Sequence, residues 1–220
     1  MVIKEKKVCY LCIAIFIFIL YEFCIKESMI SHQVKDKKFM VYDKFQNYDK
    51  AGKMLYEIDD RIHKLFQHLD KKYLQSDKYT IDLTLKKRLR KMITNYKTHH
   101  LKENFPIEHF GGKKPDSSYT LNKRKMAICL RDDKTKKFHK MNDIMFVCIH
   151  EISHILSPKY GHPKLFWQYF KFLLHEAIEI GIYRPVDYAK KNIKYCNTEL
   201  KANPYFTRFE CDTGIPHTCL

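Results

Sequence analysis

Hydrophobic positions along this chain fall into three patterns, and each predicts a different kind of element. The first is an unbroken apolar run from Val8 to Tyr21 that resumes at Phe23, Cys24 and Ile25 after Glu22. At about 18 residues it is near the lower limit for crossing a hydrocarbon core. It follows Lys4, Lys6 and Lys7 and is not followed by a small-x-small cleavage site, so residues 8–25 are expected to be an uncleaved transmembrane anchor rather than a signal peptide. Residues 1–7 are then a basic flank. Residues 26–44 have no sustained period and read as a juxtamembrane linker. Lys26, Lys35, Lys37 and Lys38 offset the lysines before the run, so the charges do not orient it.

The second pattern is helical. Leu55, Ile58, Ile62, Leu65 and Leu69 step by three and four, with Asp59, Asp60, Arg61, Lys64 and His68 between them, which predicts an amphipathic helix burying one face. A shorter helix is predicted from about residue 83 to 96, with Leu85, Leu89, Met92 and Ile93 on its apolar side. Asn142 is a plausible N-cap for a third helix over about 143–156, which Pro158 stops. A fourth runs from Pro163 to about Ile180 and closes at Gly181. The third pattern is short and extended. Residues 118–121 and 125–131 flank a polar turn and predict a β-hairpin. Beyond Tyr183, with Pro185, Pro204 and Pro216, the chain is expected to wrap the domain irregularly, and residues 207–220 read as a tail. Residues 45–206 are thus one α+β domain, a size that suits a single core.

Charge changes this picture little. The formal net charge is +16, with 41 Lys and Arg against 25 Asp and Glu, a field that attracts anions. The basic residues are spread along the chain, and only Lys86-Lys87-Arg88 with Arg90-Lys91, and Lys123-Arg124-Lys125, could form a patch. No nucleic-acid motif accompanies them, so nucleic-acid binding is expected to be weak and non-specific. Of eight cysteines, three lie in the apolar run, leaving Cys129, Cys148, Cys196, Cys211 and Cys219. An odd number without CxxC spacing, and the absence of a glycosylation sequon, favour reduced thiols and a domain facing the cytosol.

The chemistry is concentrated in the third helix, where His150-Glu151-Ile152-Ser153-His154 forms an HExxH motif after the apolar run Ile144 to Ile149. Residues four apart share a helix face, so both imidazoles can reach one Zn²⁺ while Glu151 acts on the water beside it as general base. A catalytic zinc needs a third protein ligand. His162 is the first candidate, because Pro158 and Gly161 let the chain leave the helix and fold back. The metzincin pattern is excluded, since it needs Gly where Ser157 stands and His where Tyr160 stands. A carboxylate from the next helix, Glu176 or Glu179, is the alternative, with neighbouring His175 read as a helix-surface residue.

These motifs, taken with Ser118 to Lys123, Ile128 to Asp132, Gly161-His162, Phe166-Trp167, Tyr195-Cys196 and Asn203-Pro204-Tyr205, resemble the WLM-like metallopeptidase domains encoded by large nucleocytoplasmic DNA viruses. Those are relatives of the WLM and SprT-like proteases that clear proteins crosslinked to DNA. The resemblance covers about residues 50 to 206 and implies a minimal zincin fold, in which a short sheet and packing helices support the active-site helix. It also implies three histidine ligands, which agrees with His162, and adds support to the N-terminal anchor.

The leading expectation is a membrane-anchored zinc metallopeptidase acting on a protein or peptide substrate, with the strand from Met126 to Arg131 as the edge that receives it. Two other readings are a catalytically silent virion or membrane scaffold on the same fold, and a DNA-associated protease. Glu151 favours the enzyme, because a purely structural zinc site does not need a general base.

Overall fold

The computed structural model describes residues 29–105, 117–209 and 214–217. Residues 29–42 form a hairpin rather than a linker: β1 (Met29–Val34) and β2 (Lys37–Tyr42) pair antiparallel across a turn in which Lys35 takes a left-handed φ of 54°. Alternation explains why they are strands. Phe39 and Val41 point into the core while Lys38 and Met40 point out.

Helix α1 (Tyr48–Leu69) follows and ends in a wider π-type turn at Asp70–Leu74. Its predicted stripe of Leu55, Ile58, Ile62, Leu65 and Leu69 is fully buried. Gly52 lets β1 cross this helix closely, since a side chain there would run into His32. The polar face is less uniform than its sequence pattern. Asp59 is completely buried, taking hydrogen bonds from Lys37 Nζ (2.7 Å), Tyr96 Oη (2.8 Å) and Thr98 Oγ1 (3.1 Å). A buried carboxylate costs several kcal/mol unless its oxygens are satisfied, and these donors come from β2 and the chain after the next helix. Helix α2 (Leu83–Asn95) is capped by Asp82, whose Oδ1 accepts from Leu85 N at 2.8 Å.

Strand β3 (Leu101–Asn104) and the predicted hairpin, β4 (Tyr119–Leu121) with β5 (Lys125–Cys129), complete a five-stranded sheet in the order β1-β2-β3-β5-β4. Pairing is parallel for β2 with β3 and for β3 with β5, and antiparallel for β4 with β5. Strand β5 is therefore interior and β4 is terminal, which corrects the expectation that Met126 to Arg131 form the edge. Helices α3 (Met141–Leu156) and α4 (Lys164–Glu179) pack together, for instance through Phe146 and Phe170 with ring centroids 5.1 Å apart. Asn142 lies inside α3 rather than capping it; its side-chain amide instead brackets Arg184, accepting from the backbone N at 2.8 Å and donating to the O at 3.0 Å. Gly181 closes α4 at φ 73°, as its position predicts.

After Tyr183 the chain is more ordered than expected, forming the one-turn helix α5 (Tyr188–Lys191) and a hairpin of β6 (Ile193–Tyr195) and β7 (Thr198–Leu200). A disulfide joins Cys129 at the end of β5 to Cys196 in the β6–β7 turn, across 67 residues of sequence. The expectation of reduced thiols is thereby corrected, and with it the compositional argument for a cytosol-facing domain. Cys148 is free and buried, and Cys211 and Cys219 lie outside the described residues. The architecture is α+β with one hydrophobic core, to which β1 and β2 contribute.

Placement in a membrane through a single span is also corrected. No helix among the described residues is long and apolar enough to cross a membrane. Residues 8–25, to which the anchor is assigned above, lie outside the described residues.

Candidate metal centre

Helix α3 carries an apolar face, including Ile144, Met145, Cys148, Ile149 and Ile152, that is buried in the core. His150 and His154 share the side turned towards the loop before α4. Their Nε2 atoms lie 3.1 Å apart, and His162 Nε2 lies 3.1 Å from that of His150. All three imidazoles can offer a ligand atom within 4.8 Å of the others. Two nitrogens held at about 2.0–2.1 Å around a tetrahedral zinc would be separated by about 3.3–3.4 Å, so the trio fits such an ion with little adjustment. Gly161, at φ 73°, provides the left-handed residue that turns His162 back; its neighbourhood is open, so conformation rather than space favours glycine.

An aromatic wall from the first turns of α4 sets the rings. Phe166 is fully buried, with its centroid 4.9, 4.4 and 4.7 Å from those of His150, His154 and His162. Trp167 lies beside His162 at 5.5 Å. Burial, and then repulsion by the neighbouring imidazoles, lowers the His150 pKa to about 3. His154 falls to about 4 for the same reasons, with Lys123 adding to the repulsion. Burial also lowers His162. Neutral imidazoles with available lone pairs are what a transition metal requires.

Glu151, on the adjacent side of α3, is 4 % exposed and receives a hydrogen bond on Oε2 from Thr120 Oγ1 at 2.8 Å. Thr120 belongs to β4, so the terminal strand runs over the motif. The Asn122–Lys123 turn is left-handed at both residues, and it brings Lys123 Nζ to the carbonyl oxygens of Ser157 and of Pro158, the latter at 2.8 Å. An ammonium here satisfies acceptors left over at the C-terminal end of α3. A cleft of about 260 Å³ opens between this strand, the HExxH residues and the segment from Lys159 to His162. Sequence reasoning assigned no role to Thr120, because its link to Glu151 spans 31 residues and has no local signature.

The alternative ligands lie elsewhere. Glu176 is fully buried on the far side of α4, bonded to His68 Nε2 (2.6 Å), Lys72 Nζ (3.0 Å), Tyr73 Oη (2.7 Å) and His217 Nε2 (2.8 Å). Glu179 joins that cluster through Lys72 at 2.6 Å. His68, Glu176 and Glu179 could together hold a metal, but the Lys72 ammonium already bridges the two carboxylates. His175 is not a plain surface residue: it stacks on His217 and meets a tilted Tyr205 ring, with centroids 4.6 Å away in both cases. A third group, Cys129, His139 and Cys196, has its sulfurs in the disulfide.

Three viral proteins resemble the chain in sequence. An uncharacterized protein of Acanthamoeba polyphaga mimivirus is 29% identical over 170 residues, covering 77% of this chain and 80% of its own length. An uncharacterized protein of Invertebrate iridescent virus 6 is 36% identical over 81 residues, and one of Invertebrate iridescent virus 3 is 40% identical over 80; each match covers 36% of this chain, and 44% and 49% of those proteins. No family model and no solved structure matches the chain.

Proposed function

We propose that this protein is a zinc metallopeptidase of minimal zincin-like fold, similar to the WLM-like domains, with His150, His154 and His162 as ligands and Glu151 as general base. The observation that carries the proposal is the convergence of three neutral imidazoles beside a buried carboxylate, in a cleft roofed by a terminal strand. When bound, zinc supplies Lewis acidity that brings the pKa of water towards neutrality and polarises a carbonyl.

The residues of the chain do the rest. Phe166 and Trp167 fix the imidazole planes. Thr120 holds the Glu151 carboxylate in one orientation, so that it can take a proton from the attacking water and return it to the departing amine. Strand β4 offers its outer edge to an extended peptide, and main-chain hydrogen bonds there would align the scissile bond with the histidines. A structural zinc site would have no use for Glu151.

The test is zinc content together with cleavage of a generic unfolded protein. The parent is expected to bind one zinc in this centre and to cleave, and His150→Ala with His154→Ala to lose that metal. Glu151→Gln should keep zinc and lose turnover. Zinc retained by the double variant, or equal turnover by Glu151→Gln, refutes the proposal.

A further inference from the structure

Beyond the cleft, on the far side of the β4–β5 turn, lies a second hollow of about 340 Å³. Arg88 and Lys91 from α2 meet Lys123 and Arg124 from the turn across it. Its apolar floor includes Met92 and Leu156. No acidic and no aromatic side chain is among the described residues that line it. Among the described residues, the side chains of Arg88, Lys91 and Arg124 make no ion pair, and Arg88 Nε is buried without a hydrogen-bond partner. A buried donor left without an acceptor is unfavourable by about 1–3 kcal/mol. Like charges gathered in one concavity add to that, and they lower the pKa of Lys123, where burial is the larger cause and Arg88 and Lys91 follow. An anion in the hollow relieves both.

Lys123 lines this hollow and the catalytic cleft alike. Thr120 marks the level of Glu151 on β4, and residues 122–124 follow two to four positions along the chain. They form the turn itself, closed by Arg124 N donating to Leu121 O at 3.1 Å, so they lie at the C-terminal end of β4. In a peptide added antiparallel to β4, the residues facing that end precede the cleaved bond. We propose that the hollow formed by Arg88, Lys91, Lys123 and Arg124 is a specificity pocket that selects an acidic side chain within the few residues before the scissile bond. This rests on the metallopeptidase reading. A nucleic-acid strand fits the same surface less well, because it needs a charged track with aromatic faces for its bases. Here four cations surround one hollow rather than a track, and no aromatic ring is among the described residues that line it.

Two measurements on the full zinc-loaded chain test the proposal. Mass spectrometry of cleavage sites in a peptide library should find Asp and Glu enriched at those positions. Arg88→Ala with Lys91→Ala should abolish the enrichment while leaving cleavage of neutral sites unchanged. On the Glu151→Gln chain, fluorescence anisotropy should find a labelled Glu-rich decapeptide bound about tenfold more tightly than a Gly/Ser decapeptide, the preference disappearing in the added double variant, whose melting temperature should match its parent. Equal affinity for the two peptides, or a preference that survives the double variant, overturns the pocket. So does an oligothymidine bound more tightly than the acidic peptide and released by the same substitutions, which would make the hollow a nucleic-acid contact. If the chain cleaves nothing yet the acidic peptide binds through Arg88 and Lys91, the hollow binds acidic peptides but the peptidase reading fails, and the specificity role with it.

Discussion

Replacing Glu176 with alanine separates the two ligand sets that the sequence left open. This carboxylate is fully buried and takes hydrogen bonds from His68, Lys72, Tyr73 and His217, drawing α1, its π turn and the segment around His217 onto α4. Burial alone would raise its pKa, but those donors together outweigh it and hold the carboxyl at about 2, below its ordinary 4.5. A carboxyl displaced by that much contributes about 3 kcal/mol to stability at neutral pH. Because the folded value is the lower one, this contribution is present above about pH 4.5 and is lost as the pH falls towards 2. Breaking a buried charge cluster by removing one partner costs about 3–5 kcal/mol, in line with that figure. Glu179 remains to pair with Lys72 and places the expectation at the lower end. Urea denaturation at pH 7 should therefore find Glu176→Ala about 3 kcal/mol less stable than the parent, with the difference shrinking at pH 3. Zinc affinity of the folded fraction, titrated against a chromophoric chelator, should be unchanged, whereas His162→Ala should weaken zinc by orders of magnitude. A stability loss below about 1 kcal/mol would refute the cluster argument. A drop in zinc affinity for folded Glu176→Ala would refute the ligand assignment.

Further outcomes follow from other contacts. Thr120→Val removes the donor to Glu151 Oε2 and should lower kcat about tenfold with zinc content unchanged, as read by steady-state kinetics and metal analysis. Cys129→Ser with Cys196→Ser opens a loop of 67 residues, which should cost about 4 kcal/mol by chain entropy and lower the melting temperature accordingly. In the metal-free protein the depressed pKa values of His150 and His154 mean that the unfolded chain takes up protons first on acidification. Stability should thus fall as the pH drops from about 6.5 towards 4. His150→Phe, compatible with the aromatic wall, should flatten that slope in chemical denaturation.

What the sequence determined by itself is local. The steps of three and four from Leu55 to Leu69 placed α1, and the two extended runs around a polar turn placed the β4–β5 hairpin, because these periods are properties of single elements. The four-residue spacing in HExxH puts both imidazoles on one face of any helix that contains them, and Gly161 supplied the bend that makes His162 reachable. The tertiary structure decided what depends on partners remote in sequence. Strand order made β5 interior and β4 the edge, since β3 pairs with β5 on the side away from β4. Residues 29–42 carry alternation too short to distinguish a hairpin from a linker, and it is packing against α1 that makes them strands. Asp59 read as a solvated charge and Glu176 as an alternative metal ligand, because a helical pattern does not reveal donors arriving from other elements. The Cys129–Cys196 disulfide was equally invisible, since an odd count of cysteines without close spacing does not say which two chain segments the fold brings into contact.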